Sequence, residues 1–322
     1  MNFYPLKFEP ILKERLWGGT KLKEVLNKPI PSNNTGESWE LSAVKGDVSM
    51  VSEGSLTGRS LQELIDSNPK GLLGASVVER FGKEFPILIK FIDAKQDLSI
   101  QLHPNDALAK KRHNSFGKTE MWYIMDADPQ AQLIVGFNKD TTKEEYKQSL
   151  ANNTLLDLLN YEAVKEGDTF FINTGKIHAI GAGVMLAEIQ QTSDITYRVY
   201  DFNRKDKDGN ERELHTELAL EAIDYEKKDD FKVKYPKKQN QSNSMVACPY
   251  FTTKYLELTD ELKQDLSQRD SFTIYMCVAG QAKIANDWGQ TNIKKGETIL
   301  IAAGSSHVSF TTKSAKLLEV TI

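Results

Sequence analysis

Cysteine is nearly absent: the 322 residues hold only Cys248 and Cys277, both late in the chain and far apart. Two isolated thiols exclude a disulfide framework and a thiolate-rich metal site, and they suit a reducing compartment. Long apolar runs are missing too; no stretch approaches the roughly 18 residues that would cross a membrane as a helix. The opening segment, MNFYPLKFEPILKERLWGG, is broken by proline and charge every few residues and lacks the apolar core of a signal peptide. Nor does charge of one sign dominate. The 41 basic and 45 acidic residues leave a net charge of −4, with no basic face for nucleic acid. These absences predict a cytoplasmic protein with neither a membrane nor a nucleic-acid partner, and they leave the oligomeric state open. At this length the chain can bury a sizeable core and build two domains.

Helical periodicity is confined to a few places. In SLQELIDSNP (60–69) Ser60 and Glu63 form a capping box, and Pro69 stops the helix. Pro104 followed by NDALAKKR predicts a short helix just after a strand. TKEEYKQSLANNTLLDLL (142–159) and HTELALEAI (215–223) read as surface helices. The rest is dominated by short runs rich in Ile, Val, Tyr and Phe: FPILIKFI (85–92), LSIQLH (98–103), EMWYIM (120–125), AQLIVGF (131–137), GVMLAEIQQ (183–191) and ITYRVYDF (195–202). Gly, Pro, Asn and Asp often separate them, as in antiparallel β structure. The expected class is mainly β with a few short helices.

One internal repeat organises the chain. GDTFFINTGKIH (167–178) and GETILIAAGSSH (296–307) share Gly-acidic-Thr, three apolar residues, a small turn with glycine and a final histidine, at identical spacing. Two such segments predict two related β-barrel units, with the polar KKQNQSNS stretch (237–244) as the linker. Each is expected to be a strand pair joined by a tight turn, whose glycine (Gly175 or Gly304) takes positive φ and turns the histidine inward. The pattern resembles the second signature of the cupin superfamily, with Asn173 and Ala302 where that family usually carries proline. The resemblance implies a double cupin of two antiparallel β-barrel or jelly-roll units. Residues 1–236 are expected to form the catalytic domain, with N-terminal strands and small helical insertions, and 245–322 a second cupin domain.

Strand alternation then assigns faces. Ser99, Gln101 and His103 share one side of LSIQLH, and Lys118, Glu120 and Trp122 share one side of KTEMWYI. With His178 they offer an amide oxygen, two imidazoles and one carboxylate, a donor set for a single divalent cation inside a barrel. One carboxylate leaves the ion net positive and a good Lewis acid. Zinc fits these donors, and Fe(II) also fits two histidines with a carboxylate. Taken singly, His103 reads more readily as a hydrogen-bonded structural histidine and Glu120 as a strand-edge charge; the combination points to metal. His307 lacks comparable partners, so the second unit is expected to be metal-free. His113 and His215, in polar helical settings, are expected to be solvated.

SIQLHPND, GKTEMWYI, GKIHAIGAG and SDITYRVYDFNR together resemble type I mannose-6-phosphate isomerase (phosphomannose isomerase) in its short bacterial form. These motifs lie within residues 85–204, and Q-x-H-P followed by K-x-E-M-W is their most specific part. The resemblance implies one Zn2+ per chain on Gln101, His103, Glu120 and His178. It implies a small sugar phosphate as partner, and interconversion of mannose 6-phosphate and fructose 6-phosphate. It maps the catalytic arginine onto Arg198 and phosphate contacts onto Lys90, Ser99 and Arg204, the last standing where relatives can carry lysine. Isomerisation through a cis-enediolate needs an electrophile for the oxygen charge and a carrier for the C1–C2 proton. ITYRVYDF puts Thr196, Arg198 and Tyr200 on one face, and GVMLAEIQQ does the same for Leu186, Glu188 and Gln190. Arg198 suits the first role and Glu188 the second, and Lys118 can reach sugar or phosphate oxygens.

Plainer readings compete with several of these. Arg198 can be a structural ion pair with Glu188 or Asp194, and Lys90 a snorkelling lysine at a barrel rim. Trp17, in RLWGG, either closes one end of the site or simply packs. Two other functions use the same ligands. A different metal-dependent cupin enzyme, such as an Fe(II) oxygenase, leaves the neutral Gln101 and the cations Lys90 and Arg204 without a reason. A non-catalytic sugar-binding double cupin predicts indifference to Arg198→Ala.

Overall fold

The computed structural model describes residues 2–205, 208–229 and 231–322. Among the described residues the strands form sheets of six, five and eight strands and one two-stranded ribbon, and the helices are short. The chain is mainly β, as its short apolar runs predict.

The central sheet runs in the order Thr169–Ile172, Glu120–Ala127, Val184–Gln191, Ile87–Ala94, Thr35–Leu41 and Ile11–Gly19, every neighbour antiparallel. Val184–Gln191 and Ile87–Ala94 are buried along their whole length. Both faces are covered, which is why they are largely apolar, interrupted only by Glu188, Gln190 and Gln191 in the first and by Lys90 and Asp93 in the second. Alternate residues go to different neighbours. Ile89, Phe91, Met121, Tyr123 and Ala187 join a core with Tyr255, Ile274, Met276 and Leu318 of the C-terminal sheet. Ile92, Trp122, Ile124 and Leu186 face the opposite way, toward Leu133, Val135 and Ile180 of the second sheet.

That second sheet runs Leu159–Ala163, Gln132–Phe137, His178–Ile180, Ile100–Leu102 and Tyr197–Tyr200. Its outer residues Leu102, Ile134, Tyr197 and Val199 pack with Tyr146 and Leu220 of the helices Lys143–Ala151 and Thr216–Ala222. The C-terminal sheet is built on two long strands, Thr273–Asn286 and His307–Thr321. Tyr275, Cys277, Ile299 and Leu317 fill its own core, while the intervening Ile274, Met276 and Leu318 enter the core shared with the central sheet. The first strand of the chain, Leu6–Lys7, pairs with Thr298–Ile301 in this C-terminal sheet.

Local signals are borne out where the chemistry is local. Ser60 caps helix Leu61–Ser67 with Glu63 completing the capping box. Pro69 both follows that helix and opens the next, Pro69–Leu73, at a position where its missing N–H costs nothing. Asn105 caps Asp106–His113. The single helix expected over 142–159 is instead Lys143–Ala151 followed by a 3-10 turn, Leu155–Leu158, because Asn153 sits at φ 57. Asparagine tolerates the left-handed region and ends helices there.

The repeat needs three corrections. Thr169–Ile172 and His178–Ile180 do not pair with each other; the turn carries the chain from the central to the second sheet. Thr298–Ile301 and His307–Thr321 flank a third strand, Thr273–Asn286. Gly175 takes φ +83, but Gly304 does not enter the left-handed region and is held instead by its N–H on the Gly71 carbonyl at 3.0 Å. His307 does not turn inward: it is about a third exposed, and its Nδ1 lies 2.8 Å from Asp287 Oδ1. The expected linker is also more ordered than its polarity suggests. Strand Ser242–Ala247 begins inside it at the sheet edge, and Asn243 ties back to both N and O of Lys238. A strand with one wet face carries polar residues just as a linker does.

Candidate metal centre and substrate cavity

Two rows of side chains line the space between the central and second sheets. On the second sheet His178 stands in register with Gln101, and Gln101 with Arg198. On the central sheet Trp39, Lys90, Glu188 and Trp122 form a row across four strands, with Gln190 and Glu120 paired beside it. Neighbouring strands lie only about 4.8 Å apart. Gln101, His178 and Arg198 therefore meet Trp39, Lys90, Trp122 and Glu188 in one cavity of about 370 Å³, while Glu120, Gln190 and His103 lie buried outside its lining.

His103, Glu120 and His178 are buried and bring ligand atoms within 4.8 Å of one another. Each histidine is oriented by a backbone carbonyl: Nδ1 of His103 lies 2.8 Å from Ile195 O, and Nδ1 of His178 lies 2.8 Å from Lys176 O. A carbonyl accepts only from a protonated Nδ1. Burial also keeps both rings neutral, holding His103 well below its ordinary range and His178 down to about 3. The lone pair is then on Nε2 of each ring, 3.5 Å from Glu120 Oε2 and Oε1 respectively.

Both Glu120 oxygens and His178 Nε2 are buried without a hydrogen-bond partner. Such groups carry a full desolvation penalty. Burial lifts the Glu120 carboxyl to about 7, against the pull of Lys118. Lys118 Nζ forms an ion pair with Glu120 Oε2 at 2.9 Å and donates to His103 Nε2 at 3.1 Å. Two imidazole lone pairs and an under-satisfied carboxylate at this spacing fit a divalent cation. Gln101 lines the same cavity, its Oε1 accepting from Ser99 Oγ at 3.3 Å.

The other expected residues divide. Glu188 is fully committed: Oε1 pairs with Lys90 Nζ at 2.9 Å and Oε2 accepts from Trp122 Nε1 at 3.0 Å. Burial alone would raise its carboxyl, but Lys90 and Lys118 outweigh that and hold it down to about 2. A carboxylate so pinned is a poor proton carrier, which counts against that expectation for Glu188. Lys90 is buried against this carboxylate and over the Trp39 ring, so it is no rim lysine. Arg198 makes no ion pair with Glu188 or Asp194. Its Nε donates to Ser99 Oγ at 3.3 Å and a terminal nitrogen to the Glu213 carbonyl at 2.9 Å. Tyr200 leaves the Thr196–Arg198 face at a β-bulge and packs outward with Phe202. Arg204 is absent from the cavity lining, bound to Asp201 and the Asp97 carbonyl. His113 is exposed and bonds the Tyr197 hydroxyl at 2.9 Å, whereas His215 is half-buried and accepts from Arg198 N at 3.2 Å.

Arg15, Trp17, Glu37, Trp39, Asp194 and Arg212 also line the cavity. Arg15 pairs with Glu37 at 3.0 Å, and Glu37 accepts from Trp39 Nε1 at 2.7 Å. Alternation in KERLW and in ESWEL was the signal available for Arg15, Trp17, Glu37 and Trp39. Arg212 follows the last motif and carried none.

Comparison with known proteins follows the same lines. Residues 6–148 match the family model described as phosphomannose isomerase type I, catalytic domain, and residues 241–321 match mannose-6-phosphate isomerase, cupin domain. The probable mannose-6-phosphate isomerase GmuF of Bacillus subtilis is 38% identical over 307 residues, covering 93% of this chain and 94% of that protein. The mannose-6-phosphate isomerase of Streptococcus mutans is 35% identical over 298 residues, with 92% of each covered. Among solved structures, the mannose 6-phosphate isomerase from Bacillus subtilis superposes with a TM-score of 0.90 at 30% identity, over 99% of this chain and 100% of that one.

Proposed function

Since the chain belongs to the type I mannose-6-phosphate isomerase family, we propose that it is a metal-dependent isomerase of mannose 6-phosphate and fructose 6-phosphate. The observation that carries the metal is the meeting of two carbonyl-oriented histidines on a buried carboxylate that lacks hydrogen-bond partners. Gln101, His103, Glu120 and His178 would hold one divalent cation per chain, which we take to be Zn2+. The cation would supply Lewis-acid polarisation of the sugar oxygens at C1 and C2.

The chain's own groups do the rest. Arg198, next to Gln101 in register and free of any carboxylate partner within 4 Å among the described residues, stabilises charge on the cis-enediolate oxygens. Glu37 and Glu188 are both occupied by partners. Asp194, the other carboxylate lining the cavity, has no such bond among the described residues, and we assign it the proton moved between C2 and C1. Lys90 and Glu188 hold each other and Trp122 rigid along one wall, and Lys118 orients Glu120 and meets sugar oxygens. Phosphate is met at Ser99 with Arg198 and Arg212 behind it. Arg204 contributes by sharing Asp201 with Arg212, which leaves surplus positive charge at that end. Residues 1–236 are the catalytic domain on this reading. Residues 245–322 are a metal-free second cupin, consistent with His307 being engaged by Asp287. The two unbridged thiols suit a cytoplasmic setting.

A coupled assay for fructose 6-phosphate, with and without chelator, tests the activity and its metal dependence. His103→Ala or His178→Ala is expected to abolish both turnover and stoichiometric metal by elemental analysis, while His307→Ala keeps its metal. Turnover that survives complete metal removal would sink the reading.

A further inference from the structure

Strand Glu120–Ala127 begins at Glu120, so Lys118 precedes its ladder and must be held by other means. The buried Thr119, between Lys118 and Glu120, donates its N–H to Gln191 Oε1 at 2.8 Å, and Gln191 N donates back to Thr119 O at 3.1 Å. Gln191 Nε2 donates to Asp106 Oδ1 at 3.0 Å, and the same oxygen accepts Gly117 N at 2.8 Å. Asp106 opens helix Asp106–His113, three residues after His103. One carboxylate thus ties the segment that follows one candidate ligand to the segment that precedes another.

The last partner of that carboxylate comes from elsewhere. Asp106 Oδ2 accepts the Tyr250 hydroxyl at 2.7 Å. Tyr250 lies in the turn between strands Ser242–Ala247 and Thr252–Leu258 of the C-terminal sheet. There is little slack in the join: a Cβ on Gly117 would come within 2.8 Å of Asp106 N. A charge-assisted bond of this length is among the stronger ones available to a neutral donor.

We propose that Tyr250 is a positioning residue supplied by the C-terminal unit, which acts through Asp106 and Gln191 to hold residues 117–120 and so aim Lys118 and Glu120 into the site. The backbone half of this inference stands on geometry alone; its consequence for a cation rests on the metal-centre reading above. The second unit then does more than cover the outer face of the central sheet, because it supplies the end of a hydrogen-bonded strut that reaches the ligand shell. Partners one step behind a metal ligand commonly change metal affinity by about 10–100-fold when removed.

The test uses the full-length protein and two readouts: amide exchange of residues 117–120, and release of Zn2+ to a chromogenic chelator. Tyr250→Phe, which removes only the hydroxyl, is expected to speed both by about tenfold. It should lower kcat on mannose 6-phosphate similarly, with KM within about twofold. Tyr255→Phe removes another hydroxyl near the inter-unit core, one that bonds Glu257, and should leave exchange at 117–120 and Zn2+ release as they are. Should Tyr250→Phe fail to fold, Asp106→Asn carries the same test, since it keeps the shape and removes the charge. Unchanged exchange in the Tyr250 variant overturns the proposal, as does unchanged Zn2+ release from a protein that holds Zn2+, or an equal effect of Tyr255→Phe. A wild-type protein that binds no Zn2+ would overturn the metal-centre reading instead, and exchange at 117–120 would still decide the strut.

Discussion

Asp201 holds two guanidinium groups at the edge of the cavity, Arg204 and Arg212, with Arg212 Nε at 2.7 Å. Burial by itself would raise its carboxyl, but the hydrogen bonds of Arg212 and Arg204 outweigh that and hold it below the ordinary carboxylate value. A carboxyl depressed in the fold contributes stability that is present above its unfolded value, near 3.9, and lost as pH falls through the folded one. Asp201→Asn is therefore expected to cost about 2 kcal/mol at pH 7. The gap from wild type should narrow below about pH 4; denaturant melts across that range measure it, and a constant gap would contradict the assignment. Cross-strand pairing explains Lys90. A lysine inside ILIKF is anomalous until Glu188 is seen beside it in register, with the pair's remaining valence taken by Trp122.

At the scale of elements, the site depends on segments that lead into strands as much as on the strands. His103 lies just past Ile100–Leu102, and Lys118 just before Glu120–Ala127. Gly117 is where these two segments touch, its hypothetical Cβ 2.8 Å from Asp106 N and 3.0 Å from Asn105 C. Both neighbours are backbone and cannot rotate away. Gly117→Ala is expected to destabilise by about 1–3 kcal/mol, with loss of bound metal at temperatures where the protein is still folded. Retention of full metal content and wild-type melting would show the contact to be relaxed at no cost.

The whole molecule is organised around a sheet with two clients. One face of the central sheet lines the cavity and the other is covered by the C-terminal unit. A chain ending at residue 236 would bare Ile89, Phe91, Met121, Tyr123 and Ala187, which are buried in the shared core. It would also leave Leu6–Lys7 without its partner strand. Apolar patches of that kind drive association. The shortened chain is expected to aggregate or bind a hydrophobic dye strongly, and a soluble, cooperatively melting product would refute the shared-core account.

Sequence alone determined the β class, the capped helices, the Gly-to-His repeat and the family motifs, because each is a local pattern or a spacing along the chain. Strand alternation put Gln101 and His103 on one side of their strand and Lys118 and Glu120 on one side of theirs, and the repeat offered His178; that His103, Glu120 and His178 meet is a tertiary fact. Tertiary structure decided what lies across the strands: that Glu188 is locked to Lys90, that Arg212 rather than Arg204 reaches the cavity, that His307 points outward, and that Tyr250 meets Asp106. Register between distant strands follows from the packing of whole sheets, and no local periodicity encodes it.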